Sequence, residues 1–145
     1  MATARPSTRT RSPRKPARPA ATLLAITALG VAYGLLFPDR SDYLGHFLAG
    51  AGGTLLLLAV VVATAPGSAK PVLVTVGIAI FLGVLTEATI FRLAEFDPVD
   101  LASQSLGAVL AGIALIDAEN RPASTGLAAL GGFVLLIAGF NYAFA

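Results

Sequence analysis

The sequence predicts an all-α membrane protein, an antiparallel bundle of about five transmembrane helices joined by short loops. Of its 145 residues 56% are hydrophobic and 12% are charged, against about a quarter charged in an average soluble domain. The apolar residues gather in five runs, 20–37, 44–65, 71–91, 98–116 and 126–144. Each is close to the roughly 20 residues a helix needs to cross about 30 Å of hydrocarbon. None alternates with polar residues at period two, as a barrel strand must. A domain this small still exposes about a third of the area of its unfolded chain, so lipid is expected to solvate most of it. There is no cysteine, which excludes a disulfide framework, a thiolate metal site and a Cys nucleophile.

Residues 1–19 hold six of the ten basic residues, four prolines and no acid, a composition that predicts a disordered basic tail. The run that follows is too long, and lacks the small-residue exit, for a cleaved signal peptide. Pro38 closes the first span and Pro66-Gly67 the second. The fourth span opens with a start signal: Asp97 as N-cap, Pro98 at the first helical position and Asp100 three residues after the cap. Asp100, Ser103, Gln104 and Ser105 make it the most polar of the five. Pro122 separates it from the last run. Short links predict that sequential helices pack as antiparallel neighbours. The transmembrane domain is therefore 20–145.

Outside the tail, each connecting loop holds one basic residue, Arg40, Lys70, Arg92 and Arg121. That bias predicts a cytoplasmic N-terminus. With five spans, six of the eight acids then collect at the outer face: Asp39, Asp42, Glu87, Glu95, Asp97 and Asp100. His46, the only histidine, begins the second span on the same side.

Asp42 and His46 share a helix face at i,i+4 spacing, as do Asp100 and Gln104. Glu87 lies one turn short of the end of its span, where an acid is costly unless protein holds it; Arg92, His46 or a capped helix end are the available partners. Gly107, Ala108 and Ala111 on the fourth span, and Gly45, Ala49, Gly50, Gly52 and Gly53 on the second, allow close helix approach. Packing of those two faces predicts an outward polar pocket bounded by the second, third and fourth helices. The plainer alternatives are that Asp42 serves its helix start, that His46 donates to a neighbour at the interface, and that Glu87 makes a structural hydrogen bond within the bundle.

Three stretches in order, Asp42-Tyr43-Leu44-Gly45-His46-Phe47, Leu85-Thr86-Glu87, and Phe96-Asp97-Pro98-Val99-Asp100-Leu101-Ala102-Ser103-Gln104-Ser105-Leu106-Gly107, resemble the VanZ-like family of small bacterial membrane proteins. The resemblance covers about residues 38–116. It departs at Tyr43, where members usually carry Lys, at Gln104, where they carry Asn, and at Ile90 and Phe91, where a Gln is common. It implies a multi-pass protein of the bacterial cell membrane, a link to glycopeptide antibiotic tolerance, and site residues Asp42, His46, Glu87, Asp97, Asp100 and Gln104.

Two functions compete. One is a non-enzymatic envelope protein whose pocket binds a lipid headgroup, a cell-wall precursor or a lipophilic glycopeptide. The other is a small membrane enzyme on a lipid-linked substrate, with His46 as general base and carboxylates as orienter and acid. A divalent cation would suit the second, although no ligand spacing indicates one and no cofactor is expected. A proton relay lacks charged residues across the bilayer. No nucleotide loop or hydrolase motif appears, and the aromatic-free tail suits anionic lipid rather than nucleic acid.

Overall fold

The computed structural model describes residues 19–64, 71–89, 97–115 and 122–144. Among them the structure is all helical: α1 Pro19–Leu36, α2 Ser41–Thr64, α3 Pro71–Thr89, α4 Pro98–Leu115 and α5 Pro122–Ala143. The basic tail before Pro19 and the loop residues Lys70, Arg92, Glu95 and Arg121 lie outside the described residues, and with them every basic charge that predicts the orientation except Arg40. Three helices, Ser41–Thr64, Val72–Thr89 and Thr125–Ala143, are long and apolar enough to cross a membrane by length and composition. The apolar part of α1 is shorter, Ala21–Leu36.

Four of the five helices open on proline, at Pro19, Pro71, Pro98 and Pro122. A proline at the first helical position has its φ preset and forfeits only an amide that the helix start leaves unpaired anyway. Pro122, expected as punctuation in a loop reaching to 125, is thus the first residue of α5. The second start also comes earlier than the expected position 44. The chain leaves α1 through a tight turn at Pro38-Asp39, in which Arg40 N–H donates to Phe37 C=O (3.1 Å) and Tyr43 N–H to Arg40 C=O (3.2 Å). Ser41, Asp42 and Tyr43 therefore belong to the first turn of α2. Aromatic contacts brace this hairpin: Tyr33 stacks on Phe47 with centroids 5.2 Å apart, and Phe37 meets Tyr43 edge-on at 5.6 Å.

Helix α2 is the hub. It contacts all four other helices, and Val60 is its only exposed large apolar side chain. Phe47, Ala51 and Leu55, with Ile26 of α1 and Ala111 of α4, form the buried core. Small residues decide who approaches. On one face of α2, Gly50 lies against the backbone of Gln104, and Gly107 of α4 lies against Phe47 C=O. On another, Gly45, Ala49 and Gly52 meet Ala143, Gly139 and Gly132 of α5; a Cβ on Gly52 would stand 2.5 Å from Leu136 N and 2.6 Å from Gly132 O. Backbones this close exchange dispersion and Cα–H···O contacts that larger side chains would block.

This arrangement corrects two expectations. The second-span glycines do not all serve α4: Gly50 does, Gly45 and Gly52 serve α5, and Gly53 meets nothing within 4 Å. Sequential helices are not all neighbours either, because among the described residues α4 and α5 make no contact. Each docks on its own glycine face of α2, and that close fit outweighs adjacency in the chain. Because α2 runs parallel to α4 and antiparallel to α3 and α5, the starts of α2 and α4 share one end of the bundle with the last turns of α1, α3 and α5.

Candidate functional site

That shared end holds the polar residues. At the start of α4, Asp97 accepts the Val99 amide on Oδ1 (2.8 Å), and its carbonyl accepts the first helical bond from Leu101 (3.4 Å). This is the N-cap that the sequence predicts. Its other carboxylate oxygen accepts from Arg40 Nη2 at 2.9 Å.

Arg40 is the joint of the site. Its Nε donates to both oxygens of Asp42 (3.1 Å each) and its Nη2 to Asp42 Oδ2 (2.8 Å), while Cζ lies 3.9 Å above the centre of the Tyr43 ring. A planar fork of donors lets one guanidinium hold two carboxylates and stack on an aromatic face together. The Asp42 and Asp97 hydrogen bonds push the already high pKa of Arg40 further up. Asp97 is held below the usual carboxylate range, first by the Val99 amide and then by Arg40.

One turn further in, His46 Nε2 faces Asp100 Oδ2 at 3.5 Å, with 18% and 13% of the two side chains exposed. That separation exceeds a well-formed hydrogen bond. It becomes an ion pair when the imidazole is protonated. The other oxygen of Asp100, Oδ1, is buried and accepts no hydrogen bond, as is Ser103 Oγ. Asp100 also lies in the repulsive fields of Asp97, Asp42 and Glu87. On α3 the Gln104 carboxamide occupies the notch left by Gly83, where a Cβ would stand 2.7 Å from its Cδ. Glu87 is four residues beyond Gly83, and Asp100 four before Gln104, so the two acids stand at one level across the α3/α4 contact.

The six predicted residues therefore divide. Asp42 and Asp97 are joined through Arg40, His46 faces Asp100, and Gln104 and Glu87 lie along the α3 side. Of the partners offered to Glu87, His46 is turned to Asp100, and Arg92 lies outside the described residues. The role of Arg40 escapes sequence reasoning, since its second carboxylate is 57 positions away; only the two-residue spacing to Asp42 hinted at it. Among the described residues no three His, Asp or Glu side chains converge to hold a metal ion. What the arrangement offers chemically is an imidazole beside an under-satisfied carboxylate, at the end of an apolar bundle.

At the opposite end, between α2 and α5, a cleft of about 550 Å³ is lined by Leu56, Ala59, Ala63, Gly126 and Ala129 among others. It carries none of the candidate residues. No family model, no curated protein and no solved structure matches this chain.

Proposed function

We propose that this chain is a multi-pass protein of the bacterial cell membrane whose polar end binds the polar part of an envelope ligand: a lipid headgroup, a cell-wall precursor or a lipophilic glycopeptide. The observation that carries this reading is Asp100. It keeps a buried oxygen without a partner beside His46, and a buried acceptor of that kind is rare enough to call for a water, an ion or a ligand group to complete it. Membrane residence is supported by the three long apolar helices and by the large side chains, such as Phe81, Phe133 and Phe140, exposed on α3 and α5. Contiguous apolar surface of that kind needs lipid or a partner to cover it. Five spans with a cytoplasmic N-terminus put the polar end outside, because the first nineteen residues hold most of the basic charge. The VanZ-like pattern from Asp42 to Gly107 supports a glycopeptide as one ligand class.

A second reading has its own support in the His46–Asp100 pair. A carboxylate that orients an imidazole is the arrangement of a general base, so the same end would suit an enzyme on a lipid-linked substrate.

The test uses purified wild type, His46→Ala, Asp100→Asn and Glu87→Gln in lipid nanodiscs, titrated with fluorescent teicoplanin and with a lipid-linked cell-wall precursor. Saturable binding by wild type and at least tenfold weaker binding by Asp100→Asn is the expected result. Equal binding by all four proteins, or none by wild type, refutes the reading. Release of product from the precursor by wild type alone would favour the enzyme.

A further inference from the structure

We propose that Arg40 is the positioning residue of the polar end, a strut that sets the separation between the starts of α2 and α4 and so the approach of His46 to Asp100. Every attachment needed is present. One plane of the guanidinium holds Asp42, in the first turn of α2, through three donor contacts of 2.8 to 3.1 Å. A fourth contact, at 2.9 Å, holds the cap residue of α4. The Tyr43 ring beneath it limits where the fork can sit.

Among the described residues, the side-chain hydrogen bonds between these two starts are those of Arg40. The close backbone contact of α2 with α4 comes at Phe47, Gly50 and Gly107, beyond His46 on α2 and beyond Asp100 on α4. A pair of parallel helices packed on such a fulcrum can splay at its ends unless something clasps them. His46 and Asp100 lie between clasp and fulcrum, so their 3.5 Å separation follows from both.

The strut also sorts the acids. Asp42 and Asp97 spend their oxygens on Arg40 and on the α4 cap, which leaves Asp100 as the carboxylate with a free buried oxygen. Of Asp97, which caps α4, and Asp100 in its first turn, the deeper one is thus the ligand contact. This last step rests on the proposed ligand reading, whereas the strut does not.

The chain has no cysteine, so Ser41→Cys and Ala102→Cys, both at exposed positions on the two helices, take spin labels without background. Distances between them are measured by double electron–electron resonance in nanodiscs, in the parent and with Arg40→Gln, Arg40→Lys or Asp97→Asn added. Asn retains the cap while losing the charge, so the last variant keeps the test open if Arg40→Gln does not fold. Lysine supplies one point charge without the fork. The expected result is a narrow distribution in the parent, a longer and broader one with Arg40→Gln and Asp97→Asn, and an intermediate one with Arg40→Lys.

A second readout is carbethoxylation of His46, the only histidine, which should run at least threefold faster with Arg40→Gln. Leu55→Ala, which loosens the core away from this end, should change neither measurement. Unaltered distances with Arg40→Gln and Asp97→Asn overturn the strut, and so does an equal response to Leu55→Ala. Altered distances in a protein that binds neither teicoplanin nor lipid-linked precursor leave the strut standing and refute the ligand reading instead.

Discussion

Replacing Gly50 with alanine tests whether α2 and α4 are held by backbone contact. A Cβ there would overlap the carbonyl oxygen of Gln104 and stand 2.8 Å from its carbonyl carbon and 3.0 Å from its Cα. All three atoms are backbone, so no rotamer change relieves the overlap and α4 itself must move. Overpacking of this kind costs about 1–3 kcal/mol. Against it stands a gain of about 1 kcal/mol, because alanine is the better helix former. Gly53 provides the control: it lies three residues along the same helix with nothing within 4 Å, so Gly53→Ala takes the same gain without the overlap. Propensity cancels in the comparison, and the two variants should differ by about 1–3 kcal/mol, or about 2–12 °C in Tm for a domain of this size. Thermal unfolding in detergent micelles, followed by circular dichroism at 222 nm, measures the difference. If Gly50→Ala melts at or above Gly53→Ala, the backbone contact does not hold these helices together.

Further predictions concern the polar residues. Ser103→Ala removes a buried hydroxyl that has no partner, a burden of about 1–3 kcal/mol, so its Tm should equal or exceed that of wild type; a loss of more than about 1 kcal/mol would show that the hydroxyl is bonded after all. Asp100→Asn relieves the burial of a carboxylate and its repulsion from Asp97, Asp42 and Glu87, against the loss of its attraction to His46; Tm should rise while ligand binding weakens, and a fall in both would assign Asp100 to the scaffold. Asp97 titrates below the usual range in the folded state, so its stabilisation is complete above the unfolded value of about 3.9 and is lost as pH falls through the lower folded value. The Tm advantage of wild type over Asp97→Asn should therefore be flat from about pH 7 to 5 and shrink below about pH 4; an advantage that grows on acidification contradicts the assigned cap and clasp.

The sequence made the helices legible because each apolar run is long and sharply bounded, and four of the boundaries carry a proline at the helix start. The cap at Asp97 was legible for a related reason: cap, proline and acid lie within four residues, and local chemistry does not depend on the fold. What depends on the fold was not legible. Gly45, Ala49 and Gly52 face α5 while Gly50 faces α4, a division by face that the bare presence of glycines does not reveal. The complementary signal stood in α5 as Gly132, Gly139 and Ala143, small residues at helical spacing opposite those of α2. Pairing them requires knowing that α5 crosses back over α2 instead of packing on α4. The Arg40–Asp97 bond is hidden for the same reason, since only the parallel docking of α2 and α4 brings the two together. Asp42, His46, Asp97 and Asp100 could be grouped in advance because alternating helix directions send every second start to one end.

Among the described residues, the same alternation separates acids that a helix start explains from Glu87, which lies at a helix end. Asp42 and Asp100 lie in the first turns of α2 and α4, and Asp97 caps α4; negative charge there faces unpaired amides and the positive end of the helix dipole. A protein with no ligand could keep Asp42 and Asp97 for stability alone, whereas Asp100 also carries a buried oxygen without a partner. Glu87 is different. It sits two residues before the end of α3, at the negative end of that dipole, where a carboxylate is disfavoured and a cation would be the stabilising choice. It also stands near Asp100, whose carboxylate it repels. Local helix chemistry therefore accounts for Asp42 and Asp97 at the rim, while the unpartnered oxygen of Asp100 is what no helix start satisfies and what the proposed ligand would complete.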